Sequence, residues 1–368
     1  MNVLEPLKKV LESGFIGQGS KVVEFENLFS KSINHARCVS TNSATSAEHL
    51  AFHLLKKPHG DWEGMSPGDE VLATPLTCTA SNFPILANGF KIKWVDVDPH
   101  TLNMDLDDLA RKITPKTKAI MVVHWGGYPN DLDKIKLIQE QAYARMGIKP
   151  VVIEDCAHSF GSTYKGKPLG THGNICTYSF QAIKHMTSVD GGMLVVPHAE
   201  LERRAKLLRW YGIDREGARG DFRCEEDILE WGYKFHMNDV NATFGISNME
   251  IVGDCLAKHQ SNAKYYNKNL QNVEGVTLLE NNEDRESAYW IYTIKVDNRD
   301  KFMKHMESKG IMVSRVHERN DLHSCLVESK ALLPSLEGVV KTMVCIPVGW
   351  WVTEKDREFI VEAIKEGW

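Results

Sequence analysis

One carboxylate and one lysine have the sequence surroundings that covalent amine chemistry needs. Asp155 ends the short apolar segment Val151–Glu154, and Lys184 lies in a polar turn after Thr177–Phe180. A lysine amine in a dry pocket has a lowered pKa and attacks carbonyl groups to form a Schiff base. A carboxylate beside a pyridine nitrogen keeps that ring protonated and electron-withdrawing. Each residue also has an ordinary interpretation, Asp155 as a cap and Lys184 as a solvated surface lysine.

A turn rich in small hydroxyl residues supplies a third element. Asn42–Ser46 lies between a predicted strand and a predicted helix. Backbone N–H groups at a helix N-terminus bind phosphate, so the turn predicts an anion site. Capping of the helix by Ser or Thr explains the same residues equally well. The candidate phosphate ligands are Ser43, Ala44, Thr45 and, five positions before Lys184, Ser179.

Alternating short apolar segments and amphipathic segments position these residues. The pattern predicts an α/β fold with a mainly parallel central sheet flanked by helices, in which ligands bind at the carboxyl ends of the strands. The candidate residues fall at such ends, and Gly191-Gly192 should allow close approach to a flat ligand. The predicted strands are Arg37–Ser40, Glu70–Ala73, Lys91–Val97, Ala119–His124, Pro150–Glu154 and Met193–Val196.

The pattern changes after about residue 250, where a strand at Tyr289–Val296 and a helix at Asp300–Lys309 are predicted. We therefore expect a large domain over residues 1–250 and a smaller C-terminal α+β domain over residues 251–368.

Composition excludes several other classes of function. The 368 residues carry a net charge of −5 without a basic run, which argues against nucleic acid as a partner. No apolar stretch approaches the roughly 20 residues that span a bilayer, and the N-terminus lacks a signal-peptide core. The cysteines form no CxxC pair, so we expect reduced thiols, a cytoplasmic protein and no metal site. They are Cys38, Cys78, Cys156, Cys176, Cys224, Cys255, Cys325 and Cys345.

Taken together, these motifs resemble the DegT/DnrJ/StrS family of nucleotide-sugar aminotransferases, which use pyridoxal 5′-phosphate (PLP) and have the fold type I, aspartate aminotransferase-like architecture. The most specific part is the order of the carboxylate, the lysine and the Gly-Gly pair. The segments that carry the resemblance are SGFIGQGSKVVEFENLFS, TNSATSAEHLA, GDEVLATPLTCTASNFPI, VHWGGYPNDLDKI, VIEDCAHSFGSTYKGKPLGTHG, SFQAIKHMTSVDGG and IPVGWWVTEKD.

The resemblance implies a role for each matching position. Lys184 would bind PLP as a Schiff base and shuttle protons, and Asp155 would pair with the pyridine nitrogen. His158 would lie near one face of the ring. Ala44, Thr45 and Ser179 would hold the phosphate with neighbouring Ser43, and Gln181 would border the cofactor.

Three positions depart from the family pattern. Cys78 replaces the aromatic residue that usually covers the other face of the ring, so stacking there is weaker or comes from elsewhere. In the family an Asn and an Arg in a later loop reach the cofactor and substrate phosphates of a partner subunit. Here Lys234 and His236 occupy those positions, and we expect both to contact phosphate, His236 more weakly than Arg.

Residues of the C-terminal part complete the predicted substrate site. Arg315 and His317 match a segment that approaches the substrate in the family, and Arg319 follows closely, although a solvated loop is an equal alternative. Aromatic residues can line a sugar or base pocket, but core packing explains each of them at least as well. These are Trp125, Tyr128, Trp350 and Trp351.

The expected function is transfer of the amino group of glutamate to a nucleotide-linked keto-6-deoxy sugar, with C4 favoured over C3. Pyridoxamine 5′-phosphate would be the intermediate cofactor form, and the family's shared active sites imply a homodimer. A keto-cyclitol aminotransferase and a non-catalytic relative of the fold remain alternatives. A dehydratase branch has histidine in place of the lysine, whereas this chain keeps Lys184, with His185 beside it.

Overall fold

The structure is a computed structural model that describes residues 2–215, 217 and 227–368. Its strands are β1 (Cys38–Thr41), β2 (Glu70–Ala73), β3 (Lys91–Trp94), β4 (Thr117–Val123), β5 (Val151–Asp155), β6 (Thr163–Tyr164), β7 (Lys167–Pro168), β8 (Ile175–Ser179), β9 (Gly192–Val195), β10 (Val276–Leu278), β11 (Arg285–Glu286), β12 (Tyr292–Val296) and β13 (Met343–Ile346).

The helices of the described residues alternate with these strands over the first half of the chain. They are α1 (Leu4–Ser13), α2 (Ser20–Ile33), α3 (Ala44–Leu54), α4 (Thr79–Ala87), α5 (Leu106–Lys112), α6 (Leu132–Met146), α7 (Ala199–Leu208), α8 (Asp239–Met249), α9 (Val252–Leu270), α10 (Arg299–Ser308), α11 (Pro334–Thr342) and α12 (Glu354–Lys365). Of the helices described, none is long and apolar enough to span a membrane.

The central sheet has seven strands in the order β1-β9-β8-β5-β4-β2-β3. β9 runs antiparallel to both of its neighbours, and the remaining pairs are parallel. Its inner strands β5, β8 and β9 are almost entirely buried, as expected for a sheet covered by helices on both faces. The predicted α/β fold with a mainly parallel sheet is confirmed.

The register of β9 aligns the candidate residues at one edge of the sheet. Gly192 pairs with Thr41, the last residue of β1, and with Ser179, the last residue of β8. β5 ends at Asp155 two strands away from β9. The turn after β1, the hydroxyl of Ser179 and the carboxylate of Asp155 therefore emerge on the same side.

Gly191 and Gly192 lie in close contact with neighbouring parts of the chain. A Cβ atom on Gly192 would lie 2.4 Å from the backbone carbonyl of Ser43, and one on Gly191 would lie 2.3 Å from the Ser188 hydroxyl. Both contacts are far shorter than van der Waals distance. Glycine is needed here because β9 lies directly against the turn that begins α3.

The C-terminal part has its own three-stranded sheet, β10-β12-β13, and its own apolar core between α9, α10 and α12. Residues of α11 also join the large core on one face of the central sheet, which ties the two parts together. The division at residue 250 stays a prediction.

Two predicted strands are shorter in the structure, for local reasons. The predicted strand Lys91–Val97 ends at Trp94, and Val97 pairs with Met104 in an isolated bridge. The predicted strand at Tyr289–Val296 begins only at Tyr292, because Tyr289 has a left-handed backbone with a φ of 50°. That bend matters for the site, since it redirects the residue that follows Tyr289.

Candidate active site

Lys184 lies in the turn after β8, beside the cleft at the carboxyl ends of the strands. Its amide donates to the carbonyl of Gln181 at 2.9 Å, which holds the turn. The Lys184 Nζ atom is 3.5 Å from the centroid of the Trp290 ring. Burial of the amine lowers the pKa of Lys184 to about 8, against the opposing charge of Asp155. A lysine with this pKa has a substantial neutral fraction near physiological pH and can act as a nucleophile.

Asp155 is held at the end of β5 by two donors. The Ser81 hydroxyl donates to Oδ2 at 2.6 Å, and the Ala157 amide donates to Oδ1 at 2.8 Å. Ser81 is in turn hydrogen-bonded to the Thr77 hydroxyl at 2.8 Å. Because Asp155 is 5% exposed and its charge acts on Lys184, the carboxylate is fixed and close to the amine.

The predicted anion site has the geometry of a helix N-terminus. Ser43 is the N-cap of α3, and its hydroxyl accepts from the Ser46 amide at 3.1 Å. The amides of Ala44 and Thr45 belong to the first turn, whose N–H groups have no carbonyl partner within the helix. Ser179 lies across β9 from this turn. Capping and phosphate binding are therefore compatible, because the cap uses one amide and leaves others available.

Aromatic rings line the cleft beside Lys184. The His158 and Trp290 rings are stacked, with centroids 3.9 Å apart, and the His317 ring is parallel to that of His158 at 5.8 Å. Trp125 meets both histidines edge-on. Burial lowers the pKa of His158 well below its ordinary value and that of His317 to about 4, with Lys184 adding to both effects. Both imidazoles are neutral at physiological pH.

Polar atoms of the cleft are left for a ligand to satisfy. Within the described part of the chain, His158 Nδ1, His317 Nε2 and Glu48 Oε2 are buried and have no hydrogen-bond partner. Buried polar atoms in native proteins are normally paired with protein, water or ligand. These residues, the first turn of α3 and the Lys184–Asp155 pair fit a flat, phosphorylated, aldehyde-bearing cofactor such as PLP.

The structure does not bring every predicted residue to the cleft in the same way. Gln181 is exposed at the turn before Lys184, and Cys78 is exposed at the N-terminus of α4, where it acts electrostatically on Lys184. Lys234 is also exposed; its carbonyl accepts from the Asn42 side chain at 3.4 Å. His236 packs on Trp210 at 3.5 Å between centroids.

Some of the candidate substrate residues lie in the cleft, and others are paired outside it. His317 lies in the aromatic lining of the cleft, whereas Arg315 pairs with Glu318 at 2.9 Å. Arg319 is buried and bonded to Asp321 at 2.8 and 2.5 Å, so it holds its own segment. Trp125 belongs to the lining.

The other predicted residues lie apart from this lining. The Tyr128 hydroxyl accepts from the Asn282 amide, and Trp350 and Trp351 are more than half exposed. His185 packs on His259, and Cys224 lies outside the described residues.

Three residues of the site were not predicted: Trp290, Ser81 and Glu48. Trp290 and Ser81 reach the cleft through tertiary packing, for which a single sequence gives no signal. Glu48 had a signal, since it shares the buried face of α3 with Ala44, Ala47 and Ala51 at helical spacing. A carboxylic acid at an apolar position of this kind needs an explanation.

A buried carboxylate whose charge acts on a lysine amine, beside a helix N-terminus on this sheet, is the arrangement expected of PLP-dependent transaminases. The chain belongs to the DegT/DnrJ/EryC1/StrS aminotransferase family, whose sequence model matches residues 2–365. The resemblance inferred from the motifs is confirmed. Members of this family are PLP-dependent sugar aminotransferases, and the chain is a sugar aminotransferase of this family.

The chain is similar to solved structures and to a curated sequence over nearly its full length. AtS13 from Actinomadura melliaura is 49% identical with a TM-score of 0.95, covering 100% of this chain and 96% of its own. The sugar aminotransferase CalS13 from Micromonospora echinospora is 46% identical with a TM-score of 0.95, covering 100% and 97%. The spore coat polysaccharide biosynthesis protein SpsC of Bacillus subtilis (strain 168) is 26% identical over 99% of this chain and 93% of its own length.

Proposed function

We propose that this protein transfers the amino group of glutamate to a keto group, C4 favoured and C3 possible, of a nucleotide-linked keto-6-deoxy sugar, and that PLP is its cofactor. The observation that carries the proposal is the Lys184 amine, with its pKa near 8, facing Asp155 in a chain of the sugar aminotransferase family. The similarity to CalS13, a sugar aminotransferase, and to SpsC, a polysaccharide biosynthesis protein, supports a sugar substrate.

For each part of the cofactor, this chain has residues that would bind it. The amides of Ala44 and Thr45 and the Ser179 hydroxyl would bind the phosphate, since they converge across β9. Asp155 would keep the proton on the ring nitrogen. When bound, PLP supplies an electron sink that stabilises negative charge on the carbon that carries the transferred amine.

Lys184 would first bind the cofactor covalently and then move protons. Once displaced by the amino donor, its amine can accept a proton from the donor carbon and deliver it again at the cofactor carbon. A pKa near 8 suits both directions, because the neutral and the charged amine are both populated near physiological pH. The neighbouring imidazole of His158 is neutral because its pKa is well below the ordinary value. Lys184 would therefore be the residue that moves the proton.

Trp290 would extend the aromatic surface that His158 provides. Its ring stacks on His158 and lies against the Lys184 amine, and its Nε1 donates to the Ile183 carbonyl at 2.9 Å. That hydrogen bond fixes the indole over the lysine turn. Stacking of this kind contributes about 1 kcal/mol beyond simple burial.

The sugar would enter between the aromatic lining and the C-terminal segment 315–319. His317 is the substrate-binding residue that the geometry favours, because its Nε2 faces the cleft without a partner among the described residues. Arg315, whose ion pair with Glu318 is about half exposed, would be available to a pyrophosphate. Arg319 is excluded by its buried pair with Asp321.

A homodimer would complete this site. Ile183, Val189 and Trp231 expose 64%, 49% and 64% of their surfaces beside or near the lysine turn and the Lys234 loop. Exposed apolar groups of this size indicate a surface that a partner covers. Lys234 and His236 would act there, toward phosphate groups of the partner's site. The described cysteines are free thiols, which supports a cytoplasmic enzyme.

Spectroscopy and product analysis test the proposal. The purified protein with PLP should show the absorbance of a covalently bound cofactor, and glutamate should change it. Incubation with glutamate and a panel of nucleotide-linked keto sugars should give an aminated product, identified by mass and NMR. Lys184→Ala should abolish turnover, whereas Lys136→Ala, at an exposed lysine of α6, should not.

Turnover by Lys184→Ala at the wild-type rate would overturn the assignment of the lysine. Amination of a keto-cyclitol, with every nucleotide-linked sugar left unchanged, would overturn the substrate.

A further inference from the structure

Glu48 is a carboxylic acid in an apolar setting, at the back of the proposed cofactor site. It lies in α3 between Ala47 and His49 and is 1% exposed. Its Oε2 atom has no hydrogen-bond partner among the described residues. An isolated carboxylate at such a position is very unfavourable, so the group must be neutral or paired.

The neighbour that resolves this is Asp155. Burial, together with the charge of Asp155 and a side-chain hydrogen bond to it, raises the pKa of the Glu48 carboxyl well above its ordinary value, and Lys184 opposes this only in part. Two ionised carboxylates can only accept hydrogen bonds, so one of the two must carry a proton for this bond to exist.

The hydrogen bonds already made decide which one carries it. Asp155 already accepts hydrogen bonds through both oxygens, from the Ser81 hydroxyl and from the Ala157 amide. Among the described residues no donor reaches Glu48 Oε2, and Glu48 is the more deeply buried of the two residues. The geometry therefore makes Asp155 the acceptor and Glu48 the donor of the hydrogen bond between them.

We propose that Glu48 is a positioning residue that acts as a permanently protonated acid and donates a hydrogen bond to Asp155, fixing the carboxylate toward the cofactor nitrogen. A carboxylate has about four acceptor positions. Ser81, Ala157 and Glu48 occupy three of them, which leaves one for the N–H group of the cofactor ring. Asp155 is thus fixed in one orientation before the cofactor binds. This inference rests on the proposed role of Asp155.

Two substitutions of Glu48 test separately whether its hydrogen-bond donor or its volume matters. Glu48→Gln keeps a donor and the shape but cannot ionise, whereas Glu48→Leu keeps most of the volume and removes the donor. Dialysed protein would be titrated with PLP to give the Kd, and the absorbance of the bound cofactor would then be followed against pH. The groups that act electrostatically on Glu48 are Asp155, Cys78 and Lys184, and all three remain in both variants.

We expect Glu48→Gln to keep the wild-type PLP affinity within about threefold and the same pH midpoint of the cofactor absorbance, because it mimics the protonated acid. We expect Glu48→Leu to weaken PLP binding about tenfold, since a hydrogen bond to a charged group is lost. Phe52→Leu, at a buried position of the same helix, should lower stability toward urea but leave the pH midpoint unchanged.

Three outcomes would overturn the proposal. A lowered pH midpoint in Glu48→Gln would mean that an ionised Glu48 had been stabilising the charged chromophore. Wild-type affinity in Glu48→Leu would mean that the hydrogen bond is immaterial, and an equal loss in both variants would mean that donation is not the role of Glu48. If wild type itself bound no PLP, or bound it equally well without Lys184, the proposed function would fail instead.

Discussion

Two neighbouring acidic residues of β5 face opposite sides of the central sheet and have opposite surroundings. Glu154 lies in a closed network: its Oε2 pairs with His124 Nε2 at 2.9 Å, and its Oε1 accepts from the Asn174 side chain at 2.7 Å. Asp155 lies in an open network, in which two donors are fixed and the carboxylate still faces the cleft.

The histidine of the closed network is equally satisfied. His124 Nδ1 accepts from the Asn130 amide at 3.0 Å. An imidazole nitrogen that accepts from a backbone N–H carries no proton, so His124 is a neutral imidazole whose Nε2–H donates to Glu154. This polar network is complete without any further group, although His124, Glu154 and Cys156 lie close enough to share a metal ion. Completed polar networks stabilise a fold, whereas incomplete ones beside a cleft indicate ligand binding.

The largest effect is expected on the open side. Asp155→Asn keeps the shape but removes the charge that would hold the ring proton, so amino transfer should fall about 1,000-fold. The free energy of unfolding in urea should change by less than about 1 kcal/mol, because Asp155 does not belong to a completed buried network. Steady-state kinetics and urea unfolding measure the two quantities. Ser81→Ala, which removes one donor to Asp155, should lose far less activity; a greater loss than in Asp155→Asn would contradict this account.

A substitution in the closed network of Glu154 should change the free energy of unfolding rather than the activity. Glu154→Gln removes the charged acceptor of a fully buried hydrogen bond from His124 and should lower the free energy of unfolding by about 2 kcal/mol. Burial opposes the charge of Glu154, but hydrogen bonds from His124 and Asn174 hold its pKa below the ordinary value, so this contribution is complete above the unfolded pKa of about 4.3 and is lost as pH falls. Urea unfolding at pH 7 and at pH 3 should therefore show a smaller difference from wild type at the lower pH. An equal difference at both values would contradict the charged form of Glu154.

The pH dependence of PLP binding tests the lowered pKa of Lys184 directly. Only the neutral amine of Lys184 attacks an aldehyde, and the neutral fraction rises with pH through a pKa of about 8. The rate at which cofactor-free protein captures PLP should therefore rise about tenfold per pH unit below 8 and level off above it. Stopped-flow absorbance measures this rate. A rise that continued through pH 9 and 10 would show an ordinary solvated lysine.

The smallest effect is expected at the aromatic lining. Trp290→Ala should weaken PLP binding about fivefold, which corresponds to about 1 kcal/mol of lost stacking, and Trp290→Phe should recover most of it. Fluorescence titration with PLP gives both affinities. Unchanged binding in Trp290→Ala would show that the indole does not contact the cofactor.

The sequence predicts the large part of this molecule well because its signals are local. Short buried segments that end in polar residues reveal a parallel sheet, and Asp155 and Lys184 stand at the ends of such segments. Trp290 follows Lys184 by more than 100 residues and reaches it only through the bend at Tyr289, so no local pattern reports the contact.

Other parts of the site escaped prediction for different physical reasons. Lys234 and His236 were assigned to contacts across a dimer, which a single chain leaves untested. Glu48 received no role from the sequence, since helical periodicity reports burial and not the protonation of a buried acid. Arg319 resembled a substrate ligand until the structure paired it with Asp321.

The position of Gly192, paired with Thr41 on one side and Ser179 on the other, limits the length of a ligand that fits the site. One strand, bonded on both sides, sets how far the amide turn of α3 stands from the loop that carries Lys184. Side chains at the cleft can rotate, but this span changes only if backbone pairing breaks. In the proposed site this span would match the length of the cofactor from phosphate to aldehyde, and a methyl group on Gly192 would clash with the Ser43 backbone and push the turn of α3 away.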